Sequence, residues 1–271
     1  MPPITIFCPF TRHAYVRRWF DDLYSTDLNP AMTNLVFTID IGEDEMGQEV
    51  GKMIYARIME QMNKVAFRKF IIIRNYDHHV NEVNIGVRRR RIAEIHNQAK
   101  EAIIALDGKF VLGLEDDTVF TDLKVERLYK PFEHYADAGL VSTYEAGRWL
   151  NKIIGVWFFD NADHPTKCRT ASLDDITGDI GEVDATGMYC YLTPTTLFLQ
   201  HQYDSEDWQP WGPDVNYGLW LRQKGYKNFV DWSQPTDHLD FERVVKPEGK
   251  IYVEEFTQET HAAWTRKRQE I

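Results

Sequence analysis

Short apolar runs alternate with helix-like segments over the first 120 residues. The apolar runs span residues 4–8, 34–39, 67–73 and 110–114. They have the length and composition of strands that are buried on both faces. The segments between them, at 11–23, 46–65 and 88–106, carry apolar residues at helical spacing. This alternation predicts βαβ units and a mainly parallel sheet, and hence an α/β fold.

The pattern is less regular after residue 120. It predicts helices at 128–136, 195–201, 214–224 and 259–270, and strands at 139–143, 155–159, 188–192 and 226–232. Pro131 weakens the first of these helices, and Gly225 ends the third. The polar stretches 77–86 and 165–181 are expected to be loops. No linker interrupts the chain, so we expect one compact domain. Residues 1–120 would form a nucleotide-binding half, residues 121–245 a second half, and residues 246–271 a tail with a helix.

Three consecutive acids, Glu115, Asp116 and Asp117, follow the fourth predicted strand. Neighbouring carboxylates repel one another and raise each other's pKa, and a bound divalent cation commonly compensates them. Oxygen ligands suit Mg²⁺ or Mn²⁺. In open α/β sheets, ligands bind outside the carboxyl ends of the strands. The sequence therefore indicates a metal site here, with a solvated acidic turn as the alternative.

The charge and the cysteines indicate which partners and which cellular location to expect. The formal net charge of −11 disfavours general binding to nucleic acid phosphates, which requires a basic face. Cys8, Cys168 and Cys190 form neither a metal-binding spacing nor an even-numbered disulfide framework, which favours a reducing compartment. The first residues lack the features of a signal peptide, and no apolar run approaches the length of about 20 residues that spans a membrane. We expect a cytoplasmic protein without a membrane span.

Three further blocks carry a resemblance to a known family. They are residues 186–189 (Thr-Gly-Met-Tyr), residues 211–232 (beginning Trp-Gly-Pro-Asp) and His238, and they follow the acids at 115–117 in order. With this order and spacing over about residues 4–240, the chain resembles glycosyltransferases of the GT-A fold, most closely the inverting, family-two-like enzymes. The resemblance implies that residues 1–120 are a nucleotide-sugar-binding half and residues 121–245 an acceptor and catalytic half. Two departures are clear: Glu115 replaces the first acid of the Asp-x-Asp motif, and Pro213 replaces the first acid of the Gly-Glu-Asp motif. The family's Ala-Arg-Asn helix motif has no clean counterpart, Asn97 and the arginines at 88–91 being nearest.

The resemblance implies a Mn²⁺ or Mg²⁺ cofactor that neutralises the leaving diphosphate of the donor. Asp117 is the predicted direct ligand, and Glu115 and His238 are the other predicted metal residues. Asp116 or Glu115 could instead reach the donor ribose or a metal-bound water. His238 could simply cap a loop.

Asp214 is the predicted general base, because it matches the acid that opens the late helix in the family. The alternative is an N-cap, a common place for aspartate. Trp208, Trp211 and Tyr217 could desolvate Asp214 and lift its pKa towards working pH. Trp208 and Trp211 could equally stack on the acceptor.

Further residues at the strand ends are predicted to bind the donor. They are Thr11, Arg12, Asp40, Asn75, Arg88, Arg91, Asp116 and Gly187. Arginine suits bidentate contacts to the diphosphate, although helical spacing can direct only one or two of the arginines at 88–91 to one site. Each of these residues has an alternative role: Asp40 could be a turn residue, the arginines at 88–91 could form a solvated helix face, and Gly187 could form a bulge.

These features predict a metal-dependent, inverting glycosyltransferase. It would move a hexosyl or N-acetylhexosaminyl group from a nucleotide sugar, a UDP-sugar in our interpretation, to a hydroxyl of a saccharide, protein or modified-nucleobase acceptor. Alternatives are a DNA-modifying glycosyltransferase acting on hydroxymethylated pyrimidines, a sugar-nucleotide nucleotidyltransferase, and a non-catalytic domain that binds sugar nucleotides or glycans. The missing Gly-rich phosphate loop after the first strand counts against the nucleotidyltransferase.

Overall fold

The computed structural model describes residues 1–42, 45–75, 85–146, 153–161, 167–203, 211–238, 244–245 and 251–252. The helices are α1 (Tyr15–Ser25), α2 (Glu45–Met62), α3 (Ile85–Leu106), α4 (Val125–His134), α5 (Thr195–Gln200) and α6 (Pro213–Gln223). The strands are β1 (Ile4–Phe10), β2 (Thr33–Asp40), β3 (Lys69–Asn75), β4 (Phe110–Leu114), β5 (Thr118–Val119), β6 (Ala138–Ala146), β7 (Ile153–Ile154), β8 (Val156–Phe159), β9 (Cys168–Thr170), β10 (Ile180–Val183), β11 (Ala185–Thr186), β12 (Cys190–Pro194), β13 (Lys227–His238), β14 (Val244–Val245) and β15 (Ile251–Tyr252).

One large sheet organises these elements. Its strand order is β10-β13-β6-β12-β4-β1-β2-β3. β1 is parallel to β2 and β4, and β2 is parallel to β3. β12 lies antiparallel between β4 and β6, and β6 is parallel to β13. The predicted α/β class with a mixed, mainly parallel sheet is confirmed.

The sheet is buried on both faces, as its continuous apolar runs predict. Alternate residues of β1 enter two different cores, because successive side chains of a strand point to opposite faces. Ile6 packs in one core with Trp19 of α1 and Ile54 of α2. Phe7 packs in the other with Ile103 of α3. Helices therefore cover both faces, and the sheet is the middle layer of three.

The parallel strands bring their carboxyl ends to one edge. In register, Phe10 pairs with Ile39, and Asp40 pairs with Asn75. β4 is parallel to β1, so the acids that follow β4 lie at this same edge. Residues that are distant in sequence are thus gathered where α/β sheets bind ligands.

Several predicted boundaries after residue 120 are wrong. The last predicted strand, 226–232, continues as β13 to His238, because an irregularity between Val230 and Pro235 lets the strand resume pairing with β6. The predicted loop 165–181 contains β9 and the start of β10. A three-residue strand such as β9 is too short to show a hydrophobic period.

Helix α4 begins earlier than predicted and keeps Pro131 within it. The backbone N–H groups of Val125 and Glu126 donate to the Asp27 carboxylate at 2.7 and 3.2 Å, which fixes the start of the helix. Residues 76–84 and the predicted helix at 259–270 lie outside the described residues. Within the part of the chain that the structure describes, no helix is long and apolar enough to cross a membrane.

Candidate active site

The acids form a tight turn at the end of β4, which we call the acid turn (residues 115–118). Thr118 N donates to the carbonyl of Glu115 at 3.3 Å and closes the turn. Glu115 N and Thr118 Oγ1 both donate to the carbonyl of Tyr189, at 3.0 and 3.1 Å. The turn is therefore held against the start of β12.

Asp116 points inwards and anchors the loop after β1. It is 4% exposed. Its Oδ2 accepts from Thr11 N (2.8 Å), Thr11 Oγ1 (3.0 Å) and Arg12 N (3.2 Å). Burial raises the pKa of Asp116 to about 6, Arg12 opposes this shift, and the neighbouring Asp117 adds to it. Thr11, Arg12 and Asp116, three predicted donor-binding residues, thus contact one another.

Arg12 lies between two acids. Its Nη1 is 3.1 Å from Asp116 Oδ1 and 3.1 Å from Asp117 Oδ2. Burial opposes the charge of this guanidinium, but Asp116 and Asp117 outweigh burial and raise the pKa of Arg12 above its usual value. The Asp117 side chain is 22% exposed, so this acid remains accessible to a ligand.

Asp214 lies in the first turn of α6. Gly212 is the N-cap residue of that helix, so the alternative of Asp214 as the N-cap is wrong. Burial raises the pKa of Asp214 to about 6; the backbone N–H of Val215 lowers it, Glu115 raises it, and Arg89 lowers it. The sheet edge thus brings the predicted base into the electrostatic field of the acid turn, although 99 residues (214 − 115) separate Asp214 from Glu115.

Gly212 makes room for this carboxylate. A Cβ added at Gly212 would collide with Asp214 Oδ1, and Arg89 Nε lies 4.0 Å from the same point. Asp214 therefore folds back over the glycine towards the start of α3. We predicted roles for Arg88 and Arg91 and missed Arg89, because spacing within a run of arginines does not show which one faces a distant loop.

Asp40 and Arg91, both predicted to bind the donor, bind each other. Arg91 Nε donates to the carboxylate of Asp40, and Arg91 Nη2 donates to the Asp40 carbonyl at 3.1 Å. Asp40 is fully buried at the end of β2, and the interpretation of Asp40 as a plain turn residue does not account for this pair. The side chains of Asn75 and Arg88 lie outside the described residues.

His238 ends β13 next to the acid turn. In the β5–β13 pair, His238 is opposite Thr118, the residue after Asp117. The backbone therefore brings the predicted metal ligands to one place, although the His238 side chain is outside the described residues. Among the described residues, no group of three or more His, Cys, Asp or Glu side chains could hold a metal ion.

The remaining predicted residues have local packing partners or are not described. A Cβ at Gly187 would lie 2.6 Å from the Tyr189 ring, so the close approach at this glycine is made by Tyr189. Trp211 packs edge-on against Phe159 with ring centroids 5.3 Å apart. Trp208 lies outside the described residues.

A cavity of about 250 Å³ lies beyond β5. It is lined by Phe120, Thr121, Asp122, Leu123, Lys124, Arg127, Ser233, Gln234, Pro235 and Thr236. None of the predicted site residues lines it. The candidate site is instead the edge formed by the acid turn, Arg12, Asp40 and the first turn of α6.

Comparisons with known proteins found similar solved structures. No model of a protein family and no curated protein matches the chain. Among solved structures, the mannosyltransferase PcManGT from Pyrobaculum calidifontis, in complex with GDP-Man and Mn²⁺, is similar with a TM-score of 0.54 and 11% identity, over 98% of this chain and 61% of that one. TarS from S. aureus is similar with a TM-score of 0.52 and 11% identity, over 90% of this chain and 37% of that one.

The chain thus spans less than two thirds of the length of either structure. At 11% identity the likeness concerns the fold. The family resemblance of the sequence motifs and this likeness agree, and the chain has a GT-A-like glycosyltransferase fold.

Proposed function

We propose that this protein is a metal-assisted, inverting glycosyltransferase that uses a nucleotide-sugar donor. The observation that carries the proposal is Asp214: a buried carboxylate with a pKa raised to about 6, within the electrostatic influence of Glu115 at the ligand-binding edge of a GT-A-like sheet. The mannosyltransferase neighbour, in complex with GDP-Man and Mn²⁺, supports a nucleotide-sugar donor and a divalent metal.

Asp214 is the base in this proposal. With a pKa of about 6, it is largely ionised at pH 7 and still a stronger base than an ordinary aspartate. It takes the proton of the acceptor hydroxyl while the hydroxyl oxygen forms a bond to the anomeric carbon. The bond from that carbon to the diphosphate breaks, the electron pair leaves with the diphosphate, and attack from the opposite face inverts the configuration.

The acid turn is suited to a metal, and Asp117 is the residue that would hold it. Asp116 is buried and accepts from Thr11 and Arg12. Asp117 also pairs with Arg12, but its side chain is 22% exposed and the backbone of His238 is adjacent to the turn. One or two carboxylates suffice for Mg²⁺ when substrate phosphates complete its shell, so Glu115 could be the second. When bound, the metal would neutralise the charge of the diphosphate.

The cationic residues complete the donor site. Arg12 is held at the acid turn by two carboxylates, where it can also donate to a diphosphate oxygen. The Asp40–Arg91 pair at the end of β2 would border the base and ribose. We propose a UDP-sugar as donor with hexosyl or N-acetylhexosaminyl transfer, and a GDP-sugar as the second candidate because the mannosyltransferase neighbour is in complex with GDP-Man.

A donor screen tests the proposal. The full chain is incubated with Mn²⁺ and UDP-, GDP-, dTDP- or CMP-sugars, and hydrolysis of the donor is measured. We expect turnover with one nucleotide class, and EDTA should abolish both the turnover and the rise in melting temperature caused by that nucleotide. The Asp214→Asn variant should keep the melting-temperature shift and lose turnover. A flat response to all four nucleotides would refute the proposal, and a wild-type shift without turnover would indicate a non-catalytic binding domain.

A further inference from the structure

We infer that Arg18 and Asp22 are positioning residues for the proposed reaction: together they clamp the backbone of the acid turn in the geometry that ligand binding needs. We call the pair the Arg18–Asp22 clip. The two residues lie one turn apart on α1, and Arg18 Nη1 donates to Asp22 Oδ2 at 2.8 Å. The inference deepens the proposed function and rests on it.

Arg18 holds the carbonyls on both sides of Asp117. Its Nη2 donates to the Asp116 carbonyl at 2.7 Å, and its Nη1 donates to the Thr118 carbonyl at 2.8 Å. A carbonyl fixed in direction fixes the plane of its peptide unit, because the peptide bond is planar. The Asp116 carbonyl belongs to the peptide plane before Asp117, and the Thr118 carbonyl to the plane between Thr118 and Val119. The plane between Asp117 and Thr118 is held by the bond from Thr118 N to the Glu115 carbonyl. With these three planes restrained, the Cα–Cβ bond of Asp117 has little freedom to change direction.

Asp22 holds the chain that leaves the turn. Its Oδ2 accepts from Phe120 N at 3.1 Å, and its Oδ1 accepts from Thr121 Oγ1 at 2.6 Å. The clip therefore makes four bonds to residues 116–121, two from the arginine and two from the aspartate. These bonds restrain both the turn and β5, whose partner strand carries His238.

The clip is shielded from water. The side chain of Arg18 is 11% exposed and that of Asp22 is 8% exposed. Hydrogen bonds to charged groups are stronger than neutral ones and are strengthened further where water is excluded. Arg18 also carries a positive charge behind three acids, which reduces the repulsion among them.

The clip acts through other residues, since Arg18 and Asp22 approach the acid turn from the helix side of the sheet edge. A bound diphosphate or metal would meet Asp117, and the clip would determine where Asp117 stands. Small displacements of a positioned group cost large factors in rate, because the reacting atoms must be aligned. Weakening the clip should therefore affect the donor and metal more than the fold.

Hydrogen exchange measures the clip directly. Arg18→Gln removes the charge and two of the bonds, Arg18→Lys keeps the charge, and Thr121→Val removes a single bond in case Arg18→Gln is unstable. We expect exchange in residues 115–121 to accelerate about tenfold or more in Arg18→Gln, and less in the milder variants. The matched control is Arg127→Gln, which breaks an ion pair with the buried Asp231 on another part of the fold.

Steady-state kinetics test whether the clip affects binding of the donor and the metal. In Arg18→Gln, the KM for the donor and the Mn²⁺ concentration for half activity should rise about tenfold relative to Arg127→Gln, with partial rescue in Arg18→Lys. Unchanged exchange in residues 115–121, or kinetics that match Arg127→Gln, would overturn the inference. A wild-type protein that binds no nucleotide would overturn the proposed function, and with it the catalytic meaning of the clip, even where exchange shows that the clip exists.

Discussion

Arg12 and Asp117 form an ion pair with 3.1 Å between Nη1 and Oδ2, although 105 residues separate them. The guanidinium occupies the side of Asp117 that also faces Asp116. A cation is thus already present at the carboxylate that we propose as the metal ligand. A metal ion must either displace this guanidinium or approach Asp117 from its exposed side, and in both cases the two positive charges repel each other.

Removing Arg12 should therefore strengthen binding of the metal alone. We expect Arg12→Ala to raise the affinity for Mn²⁺ without nucleotide about fivefold, which corresponds to about 1 kcal/mol for a partly exposed ion pair. Titration of free Mn²⁺ by electron paramagnetic resonance measures this affinity. Arg17→Ala, which removes an exposed arginine of α1, controls for net charge. Equal affinities in Arg12→Ala and Arg17→Ala would contradict the prediction.

The pKa of Asp214 should make turnover fall at acidic pH, which gives the pH–rate profile an acid limb. Only the ionised carboxylate can accept a proton, so kcat/KM, which reports the free enzyme, should rise with pH, reach half of its plateau near pH 6 and level off about one pH unit above that. In Asp214→Asn this limb should vanish and kcat should fall by about 10²- to 10⁴-fold. Steady-state rates between about pH 4.5 and 8 test both statements. Asp179→Asn, at an exposed aspartate, should retain the wild-type profile.

The same carboxylate should destabilise the folded protein at neutral pH. The pKa of Asp214 is raised from 3.8 to about 6 in the folded protein. The protonated carboxyl therefore adds its full contribution to the free energy of unfolding below pH 3.8, and this contribution is lost as the pH rises through about 6. Asp214→Asn removes this loss and should raise the free energy of unfolding by about 1–3 kcal/mol at pH 7–8, but by little near pH 4. Urea unfolding of both proteins across this range measures the difference. A constant difference between pH 4 and pH 8 would show that Asp214 does not titrate as described.

Gly212 should be essential for the position of Asp214. The Cβ of alanine would collide with Asp214 Oδ1, so Gly212→Ala should displace the carboxylate from its present position. We expect kcat to fall at least about tenfold while the donor KM changes little, because the base acts in the chemical step. Gly178→Ala is the matched control, since a Cβ at Gly178 has nothing within 4 Å. Wild-type kcat in Gly212→Ala would disprove the role of this glycine.

The sequence predicts the sheet edge well because its signals are local. An apolar run such as 110–114 can be recognised as a buried strand by itself, and the acids that follow it must then lie at its carboxyl end. The bounds predicted for helix α6, from its spacing and Gly225, lie within one residue of the observed ones at each end. Local periodicity is therefore enough to place Asp214 at the start of a helix and Glu115 at the end of a strand.

The partners of these residues could not be predicted in the same way. Asp116 binds Thr11 across 105 residues, and Arg18 binds the Asp116 carbonyl across 98. Neither contact leaves a periodic trace in the sequence. The path of β13 to His238 depends on an irregularity in pairing with β6, which hydrophobic patterns do not encode. Sequence patterns place a residue along its own helix or strand. Hydrogen bonds between distant residues depend instead on how helices and strands pack against one another.

The insertion of β12 between β4 and β6 makes the two halves of the chain inseparable. Residues Cys190–Pro194 pair along the whole of Phe110–Leu114. A fragment that stops near residue 120 would leave β4 as a bare apolar edge, which is a template for aggregation. Truncation or domain grafting at that point should therefore yield insoluble protein, and a graft of residues 1–120 would have to carry β12 as well.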